Sequence, residues 1–342
     1  MDLVVGVDGG STKTIAVVSD LSGELRGVGR GGSSNWEGTG WERAASVITG
    51  AAREALDMAG ARLRDVVQAH MGLAGMDWAD DEPQMASWLA AAGWQCPIGI
   101  ENDAFLALRA CSPGGYGLGA TAGSGVCAGI IQPDGSKFFY GAFTDMGGGI
   151  DIGAQVVHAV LRAEDGRDQP TALTEGLLRA TGHPSVVELA RAMHRGGQHV
   201  SKRTTDPILF PCAAEGDAVA VEIVSRFGRE LALCVTNLIR RYKLENEDRA
   251  VVAAGSLFQK TGPLLFGVFR EEVLKVAPRA RLILADQPPV MGAVRGALMA
   301  ARVHDLKVWR RAQGTATERG WFREDVGAVS RSEGRDGGRE AA

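Results

Sequence analysis

The stretch LVVGVDGGSTKTIAVVSD, residues 3–20, decides the fold of this chain. Two short apolar runs rich in β-branched residues flank Asp8-Gly9-Gly10-Ser11-Thr12, and no helix signal separates them. A break this short holds only a turn, so the stretch predicts a β-hairpin whose tip carries an acid, glycines and hydroxyls. Glycines let backbone N–H groups approach a phosphate, the hydroxyls add donors, and Lys13 lies nearby. An ordinary glycine hairpin is the alternative, but it gives no reason for the acid.

The composition limits the size of the core and the kind of partner. The 342 residues are 45% hydrophobic and 23% charged, so the chain can bury one large or two ordinary cores, and we expect two domains. A net charge of −4 gives no electrostatic reason to bind nucleic acid or a membrane, so we expect a small-molecule partner. The sequence has no apolar run long enough to span a bilayer, and its five cysteines are scattered. These features predict a cytoplasmic protein with reduced thiols.

The first third of the chain alternates between strands and helices. After the hairpin, the apolar patterns predict strands at 25–28, 66–71 and 98–100, and helices at 41–59, 84–92 and 104–110. Strands separated by helices indicate a largely parallel sheet, here with the antiparallel hairpin at one edge.

A weak internal repeat begins near residue 118. The segment LGATAGSGVCAGIIQPDGSKFFYG, residues 118–141, has the same order of strand, glycine tip, strand, turn and strand as the N-terminal segment. This repeat predicts two related halves whose tips could face one another across a cleft and grip one nucleotide. A third small-residue loop, Ala253-Ala254-Gly255-Ser256, could admit a flat ring close to the main chain.

These patterns divide the chain into three parts. We expect an N-terminal domain at 1–115, a C-terminal domain at 116–304, and a polar, partly disordered tail at 305–342. Within the second domain, the apolar spacing predicts a long amphipathic helix at 218–242, strands at 250–254 and 281–284, and a helix at 290–301.

The two glycine tips resemble the phosphate-1 and phosphate-2 motifs of the sugar kinase/actin/heat-shock chaperone ATPase superfamily, residues 253–256 its adenosine motif, and PVMGAVRGA, residues 289–297, its second connecting helix. Four stretches show a closer likeness: GVDGGSTKT, GGSSN with its following Trp, END-AF followed by TAGSG, and TDMGGGIDIG. The closer likeness is to the N-acetylglucosamine kinase and BadF/BadG-type ATPase family, over about residues 1–302. The resemblance implies an α/β fold of two ribonuclease H-like (actin-like ATPase) domains. Each would be a mixed sheet with an antiparallel hairpin edge and flanking helices, and the active site would lie in the interdomain cleft.

The resemblance also implies the residues of the site. Asp103 would be the base that accepts the proton of the sugar hydroxyl, and Asp8 would hold Mg²⁺. The residues expected to bind ATP lie in the three glycine-containing loops: Gly9, Gly10, Ser11, Thr12, Lys13, Thr121, Gly123, Ser124, Gly125, Gly255 and Ser256. The residues expected to bind the amino sugar are Ser34, Asn35, Trp36, Asn102, Asp103 and Asp145. Kinases of the family are commonly dimers, so a homodimer is expected.

Two of these residues have a structural alternative. Asp103 could merely cap the helix that begins after it, although Asn102 could equally be the cap. Asn35 could be a turn residue in the left-handed conformation.

The resemblance implies ATP-dependent phosphorylation of the 6-hydroxyl of N-acetylglucosamine. Met146 stands where the family usually has Glu, and a thioether removes two acceptors from the sugar pocket. That departure leaves a glucosamine kinase or an N-acetylmuramic acid kinase as alternatives within the family. A nucleotide-switch ATPase acting on a protein partner and a non-catalytic family member are alternatives of other classes.

Overall fold

The structure, a computed structural model, describes residues 2–123, 125–141 and 148–322. Two five-stranded sheets form its framework.

The first sheet has the order β3-β2-β1-β4-β5. Its strands are β1 (Leu3–Gly9), β2 (Thr14–Asp20), β3 (Leu25–Gly31), β4 (Val66–Leu73) and β5 (Ile98–Asn102). The first three strands pair antiparallel, with Gly9 opposite Thr14 at the predicted hairpin tip, whereas β1, β4 and β5 run parallel. The predicted hairpin at the edge of an otherwise parallel sheet is therefore confirmed.

The second sheet repeats this arrangement. Its strands are β6 (Gly117–Ala122), β7 (Val126–Ile131), β8 (Lys137–Tyr140), β9 (Ala250–Ala254) and β10 (Arg281–Leu284). The order β8-β7-β6-β9-β10 matches that of the first sheet strand for strand, because β6, β7 and β8 are antiparallel while β6, β9 and β10 are parallel. The internal repeat in the sequence thus corresponds to two copies of one sheet topology.

Four helices follow the strands of the first sheet. They are α1 (Trp36–Thr39), α2 (Trp41–Met58), α3 (Asp81–Ala91) and α4 (Ala104–Cys111), with one 3-10 turn at Leu63–Asp65. Helix α2 packs closely on β3 because that strand has glycines where the helix crosses it. A Cβ on Gly29 would lie 2.0 Å from the Ala51 carbonyl oxygen, so the contact excludes any larger residue.

Among the described residues, seven helices accompany the second sheet. They are α5 (Gly149–Glu164), α6 (Leu173–Thr181), α7 (Val186–His194), α8 (Lys202–Ala214), α9 (Ala218–Arg241), α10 (Ser256–Lys260) and α11 (Pro263–Val276). Asp217 caps α9 by accepting hydrogen bonds from Val219 and Ala220 N–H. The apolar stripe of α9 is buried in the core of this half, as its periodicity predicts.

Helix α12 (Pro289–Ala300) returns to the first sheet. It covers the face opposite α2: a Cβ on Gly6 of β1 would lie 2.3 Å from Val294 N. Helix α12 also packs on α4, because a Cβ on Gly292 would lie 1.9 Å from Leu106 O. Helices α4 and α12 therefore lie together between the two sheets, and the first sheet is covered on both faces.

Part of the predicted tail forms a helix, α13 (Leu306–Arg319). Asp305 caps it by accepting from Lys307 N–H, and Gly320 ends it in the left-handed conformation. Trp309 and Ala312 are buried against the face of the first sheet that α12 covers. In the described part of the chain, no helix has the length and hydropathy needed to cross a membrane.

Candidate active site

Three loops of the first half meet at one edge of the sheet. In the parallel register Gly9 lies beside Leu73, and Leu73 lies beside Asn102, so β1, β4 and β5 all end at the same level. The first glycine tip, the loop after β4 and Asp103 therefore come together at the carboxyl ends of the strands, where α/β folds bind ligands.

A cavity of about 440 Å³ lies between the two halves. Its lining from the first half is Ala74, Gly75, Asp77, Asn102, Asp103 and Ala104, and from the second half Thr121, Gly123, Gly125, Val126, Cys127, Phe139 and Gly141. Asp103 and the second glycine tip thus share one cavity, as the sequence predicts for an interdomain site. A larger cavity of about 710 Å³ lies between α5 and α9, but none of the predicted site residues lines it.

The backbone and the neighbours of Asp103 leave its carboxylate available for chemistry. Its side chain makes no cap hydrogen bond to α4; instead Asn102 Oδ1 accepts from Ala104 N–H at 3.0 Å. Asp103 is the N-cap residue of α4 by position, but the side-chain hydrogen bond at the start of this helix is made by Asn102. Burial first, and then the negative charge of Asp77, raise the pKa of Asp103 to about 6. A carboxylate with this pKa is mostly ionised at neutral pH and more basic than an exposed aspartate.

Asp77 is a site residue that the sequence reasoning missed. Asn102 Nδ2 donates to Asp77 Oδ1 at 2.8 Å, so one asparagine both caps α4 and holds this second carboxylate. Burial, and then the charges of Glu37 and Asp81, raise the pKa of Asp77. The position of Asp77 in the sequence could have indicated it, because Asp77 follows the Gly-rich end of β4 just as Asp103 follows β5.

The first glycine tip has the tight geometry that its residues predict. Gly10 N–H donates to Lys13 O at 2.9 Å and closes the turn. A Cβ on Gly9 would lie 2.5 Å from Ser34 Oγ, so only glycine fits there. Ser34 is completely buried and accepts from Thr14 Oγ1 at 2.8 Å, so it supports the tip from beneath. The tip residues Ser11, Thr12 and Lys13 are exposed, and Asp8 is half-buried just before them.

Asn35 and Trp36 connect this tip to the loop after β4. Asn35 has φ −72°, so the alternative of a left-handed turn residue is wrong. Its Oδ1 caps α1 through Glu37 N–H, while its Nδ2 lies 3.2 Å from Ser11 Oγ of the first tip. Trp36 Nε1 donates to Gly75 O at 2.6 Å, and its ring stacks on Trp41 at 3.9 Å. Because Gly75 lines the cavity, these contacts fix one wall of it.

The second tip and the third small-residue loop lie side by side. Gly123 N–H donates to Gly125 O at 2.9 Å, and Thr121 of β6 pairs with Ala254 of β9. Gly255 has φ +103°, and a Cβ there would lie 2.2 Å from Ala122 O. Ser256 follows as the first residue of α10. The predicted residues Ser124 and Asp145, and the departure at Met146, lie outside the described residues.

The sequence profile of the BadF/BadG/BcrA/BcrD ATPase family matches residues 5–300. The chain belongs to this family. Among relatives, it is 26% identical over 301 residues to an N-acetylmuramic acid/N-acetylglucosamine kinase of Clostridium acetobutylicum, covering 86% of this chain and 97% of the relative. It is 27% identical over 240 residues to a glucosamine kinase of Vibrio cholerae, covering 68% of this chain and 79% of the relative.

A solved structure from Chromobacterium violaceum, described as an N-acetylglucosamine kinase, superposes with a TM-score of 0.63 at 20% identity. The match covers 86% of this chain and 98% of that one. At this identity the likeness establishes the fold, and the predicted actin-like arrangement of two mixed sheets is confirmed.

A buried ion cluster supports the site of this family member. Glu101, directly before Asn102, is completely buried and receives two hydrogen bonds from Arg109, at 2.6 and 2.9 Å. His70 Nε2 lies 2.9 Å from the same carboxylate, and Lys137 of β8 donates to it at 3.2 Å. Burial opposes ionisation, but His70 and Arg109 outweigh it and hold the pKa of Glu101 well below its usual range. The cluster joins the second sheet to the strand that precedes Asp103.

The thiol of Cys127, which lines the cavity, is in its unreactive, protonated form. Burial, and then the charges of Asp103 and Asp77, raise the pKa of Cys127, so the thiol stays protonated. All five cysteines lie among the described residues, and none of them forms a disulfide bond there.

The donor set suits Mg²⁺ brought in with a nucleotide. Mg²⁺ is usually held through one or two carboxylates together with substrate phosphates and waters. Asp8, at the end of β1 beside the glycine tip, offers one such carboxylate. Within the described residues, no group of three or more metal-binding side chains gathers at one point, so the protein offers no closed metal cage there.

Proposed function

We propose that this protein is an ATP-dependent amino-sugar kinase that phosphorylates the 6-hydroxyl of N-acetylglucosamine. The observation that carries the proposal is the carboxylate of Asp103, which makes no side-chain cap hydrogen bond to α4, has a pKa of about 6, and shares a cavity with the second glycine tip. The similarity to kinases of N-acetylglucosamine, N-acetylmuramic acid and glucosamine supports the substrate class.

The nucleotide lies between the two glycine tips in this proposal. Backbone N–H groups at Gly9 and Gly10, with Ser11, Thr12 and Lys13, hold the β- and γ-phosphates from one side. Thr121 and the second tip, Gly123-Ser124-Gly125, hold them from the other, and the loop at Gly255-Ser256 accommodates the adenine. Asp8 would hold the hydrated Mg²⁺, and the ion would supply charge neutralisation for the phosphates.

The sugar binds beside Asp103 with its 6-hydroxyl facing the γ-phosphate. Asn35 and Asp145 orient the pyranose, because amides and carboxylates can pair with several hydroxyls at once. Trp36 and Ser34 shape the loop that carries Asn35. As the sugar oxygen attacks the γ-phosphorus, its proton passes to Asp103. The new O–P bond forms while the bond from the γ-phosphorus to the β-bridging oxygen breaks, and ADP leaves. Positioning and charge neutralisation supply most of the acceleration.

A sugar panel tests this proposal. The protein is assayed with Mg·ATP and N-acetylglucosamine, glucosamine, N-acetylmuramic acid, N-acetylmannosamine or glucose, and ADP release is followed. We expect the highest kcat/KM with N-acetylglucosamine and a phosphate on its 6-oxygen by NMR. Preference for glucosamine or N-acetylmuramic acid would change the assigned substrate to that sugar, and the protein would still be an amino-sugar kinase. If no sugar stimulates ADP release, the kinase proposal fails, and slow basal hydrolysis would then favour the nucleotide-switch alternative.

The base is tested by Asp103→Asn. General base catalysis contributes about 10²–10⁴-fold, so kcat should fall by about that factor while ATP affinity stays unchanged. Asp80→Asn, an exposed acid before α3, is the matched control and should keep wild-type turnover. Wild-type kcat in Asp103→Asn would exclude this residue as the base. The expected homodimer stays a prediction that sedimentation analysis can check.

A further inference from the structure

Helices α5 and α8 pack against one another beside the second glycine tip. Two glycines one turn apart on α5 make this possible: a Cβ on Gly153 would lie 2.9 Å from Thr205 Oγ1 and 3.5 Å from Lys202 Cα. The first residue of α8, Lys202, is thereby held against the start of α5.

The Lys202 side chain points toward the second tip. A Cβ on Gly149, the first residue of α5, would lie 2.9 Å from both Cε and Nζ of Lys202, and 3.1 Å from Gly123 O. The ammonium of Lys202 and the carbonyl oxygen of Gly123 therefore both lie within contact distance of the same position, next to Gly149. Gly149 N–H also donates to Gly123 O at 3.0 Å, so the start of α5 contacts both the second tip and Lys202. Lys202 is half-buried, which limits how far the ammonium can move away.

The charges of the cavity create a need for a cation here. None of the described residues that line the cavity is a lysine or arginine, whereas Asp77 and Asp103 place two acids in it. A triphosphate entering beside these acids needs positive charge on both sides. The first tip has Lys13, and Lys202 is the corresponding cation on the side of the second tip.

We propose that Lys202 binds the β- or γ-phosphate of the nucleotide at the second glycine tip. This inference rests on the proposal that ATP lies between the two tips. An ammonium is a compact point charge with several donors, and a lysine of this kind is a common ligand of nucleotide phosphates.

Nucleotide binding without sugar tests this proposal. Calorimetry measures the affinity of the full chain for Mg·ATP, Mg·ADP, AMP and adenosine. A hydrogen bond to a charged group corresponds to about a 10- to 150-fold change in affinity, so Lys202→Gln should weaken ATP by about that factor. Adenosine should bind Lys202→Gln as well as wild type, and Lys202→Arg should recover most of the ATP affinity. The matched control is Arg203→Gln, which removes an exposed positive charge from the next residue and should leave all four affinities unchanged.

Gly149→Ala gives a second test that keeps the lysine. The added methyl group would meet Cε and Nζ of Lys202 at 2.9 Å and displace the ammonium, so ATP should weaken while adenosine does not. If Lys202→Gln fails to fold, Gly149→Ala still tests the proposal. Equal weakening of ATP and adenosine, or the same loss in Arg203→Gln, would overturn the proposal. The calorimetric measurements contain no sugar, so they test the role of Lys202 even if no sugar in the panel stimulates ADP release.

Discussion

Removal of the negative charge of Glu101 should destabilise the protein strongly. In Glu101→Gln, Arg109 and Lys137 lose the carboxylate that compensates them, and the new amide N–H group faces donors instead of acceptors. Glu101 is completely buried and the Arg109 side chain is only 13% exposed, so water cannot replace the lost partner. Breaking a buried ion pair by removing one partner costs about 3–5 kcal/mol, so the free energy of unfolding should fall by about that amount.

Urea denaturation at pH 7 measures the effect. The matched control is Glu24→Gln, which removes a more exposed carboxylate that pairs with Arg311 at 2.9 Å; it should cost about 1 kcal/mol or less. The folded protein holds the pKa of Glu101 below its ordinary value of 4.5, so its stabilising contribution is present above that pH. It is lost as pH falls through the lower, folded-state pKa, and the difference between wild type and Glu101→Gln should shrink there. A loss at pH 7 no greater than that of Glu24→Gln would refute the reasoning.

Three further outcomes are expected. Since the base must be ionised, kcat/KM for the sugar should fall as pH drops through about 6, and a flat profile between pH 5 and 7 would contradict the role of Asp103. Asp77→Asn removes a neighbouring negative charge, so it should move that profile to lower pH; an unchanged or raised midpoint would show that Asp77 does not act on the base. Gly255→Ala brings a Cβ to 2.2 Å from a backbone oxygen, and such overpacking should cost about 1–3 kcal/mol in thermal unfolding. Gly216→Ala has a similar positive φ but open space, and should cost less.

The sheets could be predicted from sequence because their signals are local. The break at Asp8-Gly9-Gly10 and its repeat near 118–141 fixed both hairpins, and β-branched runs marked the parallel strands that follow. The polar residues at the carboxyl ends of β1 and β5 could be found for the same reason, since a strand end is visible in the sequence.

Features that depend on contacts between distant segments could not be predicted in this way. Asp77 becomes part of the site only through Asn102, which reaches it from the neighbouring strand. The alternatives for Asp103 and Asn35 also needed coordinates, because the choice of cap between adjacent residues is a matter of side-chain orientation. The place of Lys202 depends on glycine contacts between two helices about 50 residues apart in the chain, and residues 149–217 offered no motif that indicates this packing.

The return of α12 to the first sheet has a consequence for how the polypeptide matures on the ribosome. The face of the sheet that contains Val4, Ile15 and Val17 is covered by residues beyond 288. During synthesis that apolar surface stays bare until residues 289–300 have emerged, so the N-terminal portion is exposed to aggregation before its cover arrives. A nascent chain stalled before Pro289 should therefore be a client for chaperones, even though every strand of its first sheet is already present.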